Sequence, residues 1–488
     1  MLEQIRSFFL VNSSVRQTFI KNTFWLFVGE VVSRFFKMVL VIYAARILGT
    51  AEWGLFAYTF GLASFFIIFS DLGLGNLIIR EFTEKSQKKL EYLATTFVIK
   101  LIFSIVSFIL ILTVAPLITK ISEIENTLFV ISFILLSDSL REFCLAINRA
   151  LEKMEREAFI RIFTNFLISI FGIFVLFKFP SVENFSYAYL AGSLCGLIAT
   201  LYILRNYLYN IFNHFSRELI VPVLSFAWPF LIFGGLGIIM SNTDIIMLGW
   251  WNTANDIGLY SVAQRLVQFL YVIPSLLSFV ILPPLSKLVS ENSLNIKNFL
   301  EKMLALVFAL ILPIATGGII LARDIVISVF GEPYETSTLV FQLLLTITVM
   351  AFPLLIINNF IMVKNQHKKF VKYSIAGAIL NIVLNLLLIP KFGIYGAAAG
   401  TAISTFVIRI LVLSLAKKII PFAIFPSIKK IILATILMGF ATYVGKYFNI
   451  NLFVNISFSM LLFLYMLYIL KEPLLDEIKS VFRPVNFS

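Results

Sequence analysis

Glu30, Arg34 and Lys37 stand four and three residues apart inside an apolar and aromatic run, 23–45. On a helix that spacing puts all three on one stripe. A charge at the centre of a bilayer costs roughly 2.5–3.5 kcal/mol on insertion scales, so such residues face a cavity or a partner. A Glu30–Arg34 pair would neutralise itself, and Lys37 on the same stripe then favours a water-filled cavity. Asp138, Arg141 and Glu142 repeat the pattern in 127–148, where a packed salt-bridge cluster and a ligand site are equally good readings. Gln264, Gln268 and Tyr271 share a stripe in 257–283, with Arg265 on its border and read as facing the cavity. Arginine and lysine pair with phosphate oxygens. Arg34, Lys37, Arg265 and Arg141, with Gln264 and Gln268, are therefore the expected binding groups for an anionic substrate. Glu30, Asp138, Asp71 and Asp244 are candidates for carrying a coupling proton or Na⁺; no other cofactor, no metal and no catalytic group is expected.

The elements that must position these groups follow from composition. Of 488 residues 60% are hydrophobic and 13% charged, about half the ~25% charge of soluble domains, which excludes a soluble enzyme. A net charge of +13 would suggest nucleic acid in a soluble chain; here it asks where the charges sit. A spanning helix takes ~20 residues, and fourteen runs qualify: 23–45, 54–79, 93–118, 127–148, 158–178, 185–205, 221–249, 257–283, 301–322, 338–363, 371–389, 393–416, 430–448 and 451–470. With the N-terminus inside, 27 of the 39 Lys and Arg fall in or beside the even-numbered connections and the termini. Six (Arg46, Lys120, Lys178, Arg323, Lys391, Lys446) fall on the other side and six (Arg34, Lys37, Lys100, Arg141, Arg265, Arg409) within runs. Cytoplasmic loops collect Lys and Arg, and a miscounted span would scramble the alternation.

The expectation is an all-α polytopic membrane protein of about fourteen transmembrane helices in the cell inner membrane, both termini cytoplasmic. Residues 1–22 read as a basic amphipathic lead-in rather than a cleaved signal. Cys144 and Cys195 lie in apolar runs and support neither a disulfide nor a thiol metal site. Lys100 and Arg409 lie about two turns from cytoplasmic ends. Snorkelling to the interface is the reading for Lys100, while Arg409 divides between snorkelling and facing inward. Pro229, Pro274, Pro313 and Pro353 would kink the runs that hold them.

The connections hold no Walker A motif and no GxGxxG opening a helix after a strand, against an ATP-driven pump. The first outer connection, Arg46 to Trp53, is too short for the catalytic loop of a glycosyltransferase or polymerase. Leu48-Gly49 with Gly54-Leu55-Phe56-Ala57 is echoed by Leu248-Gly249 with Gly258-Leu259-Tyr260-Ser261, and Tyr189-Leu190-Ala191-Gly192-Ser193 by Ala397-Ala398-Ala399-Gly400-Thr401. Both offsets are about two hundred, laying spans 1–6 over 7–12 as in parallel-repeat transporters. The expected organisation is an N-lobe (23–206), a cytoplasmic linker (207–220), a C-lobe (221–418), a terminal helix pair (419–470) and a cytoplasmic tail (471–488). That is two pseudo-symmetric six-helix lobes plus a C-terminal helix pair.

Three motifs occur in order: Ala45-Arg46-Ile47-Leu48-Gly49 with Trp53-Gly54-Leu55-Phe56 and Ser70-Asp71-Leu72-Gly73-Leu74; Asp244-Ile245-Ile246-Met247-Leu248-Gly249 with Ile257-Gly258-Leu259-Tyr260-Ser261-Val262-Ala263; and Asn385 through Pro390-Lys391-Phe392-Gly393-Ile394-Tyr395-Gly396 to Ala398. In this the chain resembles the polysaccharide/O-antigen (lipid-linked oligosaccharide) flippase family of the multidrug/oligosaccharidyl-lipid/polysaccharide exporter superfamily. The resemblance implies two lobes around a central cavity and translocation, by alternating access, of undecaprenyl-diphosphate-linked oligosaccharide repeat units from the cytoplasmic to the periplasmic leaflet. The product would be O-antigen, capsule or exopolysaccharide. It implies membrane lipid and the lipid-linked substrate as partners, with polysaccharide polymerase and chain-length proteins as candidates, no nucleic acid, and a monomer. The rival readings are a cation-coupled multidrug antiporter, a lipid II flippase and, last, a membrane glycosyltransferase or polymerase.

Overall fold

The computed structural model describes residues 15–83, 88–291, 295–364 and 366–473, and among them the regular elements are all helices. In chain order these are α1 (Val15–Phe66), α2 (Ile68–Asp71), α3 (Leu74–Thr83), α4 (Lys89–Ile118), α5 (Glu125–Ala150), α6 (Met154–Lys178), α7 (Val182–Ile203), α8 (Arg205–Leu208) and α9 (Ile220–Trp251). There follow α10 (Ala254–Leu270), α11 (Val272–Ser290), α12 (Ile296–Ile320), α13 (Ala322–Phe330), α14 (Ser337–Val363), α15 (His367–Ile419), α16 (Phe425–Tyr447) and α17 (Leu452–Ile469). Among the described residues eight helices are long and apolar enough to cross a membrane, or nine if the bent pair Ile20–Ser70 with Leu74–Phe82 is one span. The chain is a multi-pass membrane protein. It forms two compact units that divide between Ser261 and Val262.

The longest helix, α15, holds two of the runs read from the sequence, and α1 holds one run and the first half of the next. α1 changes direction at Gly49 (φ 74°, ψ 179°) and α15 at Gly393 (φ 54°, ψ −130°). Both conformations belong to the region open essentially to glycine alone. The connections read between Arg46 and Trp53 and across 389–393 thus shrink to one glycine each, with helix running up to it on both sides. A Cβ at Gly49 would meet nothing within 4 Å, so Gly49→Ala isolates backbone strain. It should lower stability by about 1–3 kcal/mol, read as an earlier thermal unfolding in detergent. An unchanged midpoint would mean that the break is imposed by packing rather than by the glycine.

Two further breaks are related by the repeat. The run 54–79 is interrupted at Ile67, which separates α1 from α2, and again at Leu72 and Gly73 before α3. The run 257–283 is interrupted at Tyr271, between α10 and α11. Pro274, in the first turn of α11, has no N–H to return to the preceding turn. Ile67 and Tyr271 are 204 positions apart, the separation of Gly54 from Gly258.

Helices approach closely where side chains are small. A Cβ on Gly29 would stand 2.8 Å from Ala158, one on Gly192 2.7 Å from the Ile168 backbone, and one on Gly196 2.2 Å from Thr164 Oγ1. In lipid no hydrophobic drive pulls helices together, so such contacts supply the van der Waals packing that does. α16 and α17 instead expose Phe440, Tyr443, Phe453 and Met460, as helices facing hydrocarbon should.

Candidate functional site

Within the first unit, the repeat segments pack against each other. A Cβ on Gly54 would lie 1.8 Å from the Ala254 carbonyl oxygen, and one on Gly258 1.9 Å from the Thr50 carbonyl oxygen. Exchanging 50 with 254 and 54 with 258 turns the first contact into the second, so the crossing has the self-complementary form of a two-fold interface. Polar bonds flank it: Thr50 Oγ1 donates to Asn255 Oδ1, and the buried Trp53 Nε1 donates to Ser261 Oγ at 2.9 Å. Glu52 accepts from the amide of Val182 at 2.9 Å, at the start of α7.

Several charges of the first unit stand in ion pairs or hydrogen bonds. Arg34 Nε donates to Glu30 Oε1 at 2.5 Å, and both side chains keep about a third of their surface exposed; Lys37, on the same stripe, is exposed. Asp138 accepts from Ser193 Oγ at 2.5 Å and lies 2.8 Å from Arg141 Nη1, an ion contact without hydrogen-bond alignment. Glu142 turns from that trio to Arg161, whose Nη1 and Nη2 donate at 2.9 and 2.7 Å. Arg161 Nε also donates to Glu157 at 3.0 Å, and Glu157 receives two bonds from Arg149 at 2.7 and 2.6 Å. Asp244 accepts from the buried Tyr260 hydroxyl at 2.5 Å. Asp71 closes α2, and its side chain lies outside the described residues.

Lys100 corrects the sequence reading. It does not snorkel: it is 1% exposed and donates to the Ser70 carbonyl at 2.7 Å and to Ser139 Oγ at 2.6 Å. Ser70 sits in α2, between the two interruptions, and its hydroxyl bonds to Ser104 and Ser139 at 2.8 and 2.7 Å. The break leaves backbone oxygen without a helical partner, and the ammonium finds it there before it finds the interface.

In the second unit Arg265 Nη1 donates to Gln268 Oε1 at 3.2 Å, with Gln264 half-buried on the preceding turn. One turn beyond Gln268, Tyr271 packs edge-on against Phe352 of α14, ring centroids 4.9 Å apart. Arg409 of α15 has that tyrosine as its electrostatic neighbour. The structure therefore brings together Glu30 with Arg34, Asp138 with Arg141, and Arg265 with Gln268, as separate pairs. Arg161, Arg149 and Glu157 were missed as interior partners because Arg161, in the first turn of the fifth run, was counted with the charges of the connection before it. The signal was present in the i, i+4 spacing of Glu157 and Arg161.

A family model described as polysaccharide biosynthesis protein matches residues 43–339. The Haloferax volcanii protein "Probable low-salt glycan biosynthesis flippase Agl15" is 22% identical over 458 residues, 91% of this chain and 94% of its own length. Capsular polysaccharide biosynthesis protein CapF of Staphylococcus aureus is 20% identical over 394 residues, covering 80% and 96%. Among solved structures, that of the lipid II flippase MurJ in an inward closed conformation superimposes with a TM-score of 0.77 at 18% identity, over 92% of this chain and 99% of that one.

Proposed function

Since the chain belongs to the polysaccharide biosynthesis protein family, we propose that it is a flippase moving undecaprenyl-diphosphate-linked oligosaccharide repeat units across the cell inner membrane, from the cytoplasmic to the periplasmic leaflet. The observation that carries this reading is the presence of Arg34 and Arg265 within the helices of an apolar chain, Arg34 bonded to Glu30 and Arg265 to Gln268. A diphosphate headgroup cannot cross hydrocarbon with its charges exposed. Guanidinium groups give it a bidentate counter-charge, while the sugars stay in water and the prenyl tail stays in lipid.

In this mechanism Glu30 holds Arg34 until a phosphate oxygen displaces it. The released carboxylate then becomes the site where a proton or Na⁺ can enter the cycle. Lys37 and Gln264 add contacts to headgroup and sugar. Asp138 is held by both Arg141 and Ser193, which supports a packing role for Arg141 and Asp138, and Asp244 is likewise committed to Tyr260. With both termini cytoplasmic, the Gly54–Gly258 crossing lies at the periplasmic end of the spans. There it closes the outer end, and alternating access requires it to part. The flippase names of relatives support this class, and polysaccharide polymerase and chain-length proteins are the partners that would take the product.

The test is reconstitution into liposomes carrying a fluorescent prenyl-diphosphate oligosaccharide, followed by a membrane-impermeant reagent that attacks exposed headgroups. Protein-dependent exposure of the protected leaflet is expected. Arg34→Ala and Arg265→Ala should each slow it at least tenfold, the loss of roughly 1.4 kcal/mol or more of charge-assisted binding, with the amount of folded protein unchanged. Normal rates in both variants would discard these residues and keep the function. No exposure in the parent protein, even under a proton or Na⁺ gradient, would overturn the flippase.

A further inference from the structure

The arginines inside apolar helices share a habit that one of them breaks. Arg34 has Glu30, Arg141 has Asp138, Arg161 has Glu142 and Glu157, and Arg265 has Gln268. Arg409 forms no hydrogen bond and no ion pair among the described residues, and its Nε is buried without a partner. It does not lie on the lipid face of α15. Ile403, Phe406, Val407, Ile410 and Leu411 are the exposed large apolar residues there, and at about 100° per residue Arg409 stands roughly 130° from the middle of that face. Its own side of the helix carries buried Val412 and Ala416, about 60° and 20° away.

The place is as telling as the missing partner. Arg409 lies within electrostatic range of Tyr271 without bonding to it, and Tyr271 is the residue at which α10 breaks into α11. The first unit also has a buried cation beside its own helix break, Lys100, but that ammonium donates to the Ser70 carbonyl and the Ser139 hydroxyl. Arg409 has no such protein oxygen. Broken helices in transporters are where charged ligands meet protein, and an arginine left without a counter-charge is a binding group kept at a cost in stability. From Arg265 through Gln268 to Tyr271 the helix rises roughly 9 Å. Two cations therefore bracket a short polar strip, with an amide and a phenol between them.

We propose that Arg409, with the Tyr271 hydroxyl, is a second anion-binding group of the second unit and holds the diphosphate of the lipid-linked substrate together with Arg265. The inference rests on the flippase reading for the identity of the lipid. Arg265 meets the headgroup from α10 and Arg409 from α15, so a diphosphate engages both and a monophosphate one. Arg409 is then what makes the site prefer two phosphates to one.

The experiment is equilibrium binding of undecaprenyl diphosphate, undecaprenyl monophosphate and inorganic diphosphate to the full chain in detergent micelles, with thermal unfolding of the lipid-free protein recorded alongside. Arg409→Met should weaken the diphosphate lipid at least tenfold and the monophosphate lipid by a smaller factor, and Arg409→Lys should recover part of the loss. Lipid-free Arg409→Met should unfold at the same or a higher temperature, because a buried cation without a partner has been removed. Three outcomes overturn the proposal: diphosphate binding unchanged in Arg409→Met; a lower unfolding temperature in that variant which Arg409→Lys does not restore; or equal affinity of the parent for inorganic diphosphate and for the lipid, which assigns the site to a free anion. A parent protein that binds neither lipid would remove the substrate reading along with the site, and so is distinguishable from a failure of Arg409 alone.

Discussion

Gly54→Ala is expected to push the repeat segments apart, to stop transport, and to make a second substitution at Gly258 almost free of further effect. The added methyl would lie 1.8 Å from the Ala254 carbonyl oxygen. The obstacle is backbone, with no flexible side chain to swing away, so the helices themselves must separate. Separation removes the bond from Trp53 to Ser261 and the one from Thr50 to Asn255. Overpacking of this kind costs about 1–3 kcal/mol. Gly258→Ala meets the Thr50 carbonyl at 1.9 Å and should cost the same, because the two contacts are images of each other. Once one methyl has forced the gap the other fits into it, so the double variant should fall well short of additive. Ser261, fully buried, supplies the readout. In a background without Cys144 and Cys195, Ser261→Cys should react slowly with a membrane-impermeant thiol reagent, and rapidly once Gly54→Ala is added. Additive losses, or a thiol that stays protected, would mean that the crossing is not the shared seam described above.

That seam was legible before any coordinates, though not as a contact. The sequence shows that 48–57 resembles 248–261, and parallel repeats imply lobes related by an axis. That the two copies touch, and touch through Gly54 and Gly258, follows only when α1 and α10 are placed in space. The multi-pass helical class was equally readable, because an apolar run of spanning length has few other uses. The connections were not: a two-helix joint of one residue needs a glycine in a rare conformation, and Gly49 and Gly393 look in sequence like many other glycines. The Glu30–Arg34 pair, the alternative to a cavity-lining stripe, could be read because such a partnership is local, one helical turn. Glu142 with Arg161, and Lys100 with Ser70, are partnerships between elements, and a single chain gives no rule for which helix a charge will turn towards. Snorkelling for Lys100 assumed that the nearest relief was the interface; the broken helix beside it was nearer.

The charge network around Glu157 supports the second large effect, and it separates charges that build the protein from charges proposed to serve the substrate. Glu157 is 1% exposed and accepts two bonds from Arg149 and one from Arg161. Arg161 also holds Glu142, and Lys21 holds Glu155 at 3.1 Å, so the cluster clips the ends of α5 and α6 and ties α6 to α1. Glu157→Gln leaves two guanidinium groups facing an amide that can satisfy neither charge. Breaking a buried pair from one side costs about 3–5 kcal/mol, and a loss of that size should appear in chemical unfolding of the detergent-solubilised protein. Glu142→Gln should cost less, since Arg161 would keep its bond to Glu157 and only one guanidinium donates to Glu142. Glu157→Leu with Arg149→Leu should recover part of the Glu157→Gln loss, because neither charge is then left alone. In each case the molecules that remain folded should bind the diphosphate lipid as the parent does. Arg409→Met is expected to do the reverse, holding stability and losing binding. Equal stability of Glu157→Gln and the parent would show that the network is solvated in the membrane-embedded protein, and would return its arginines to the set of candidate substrate ligands.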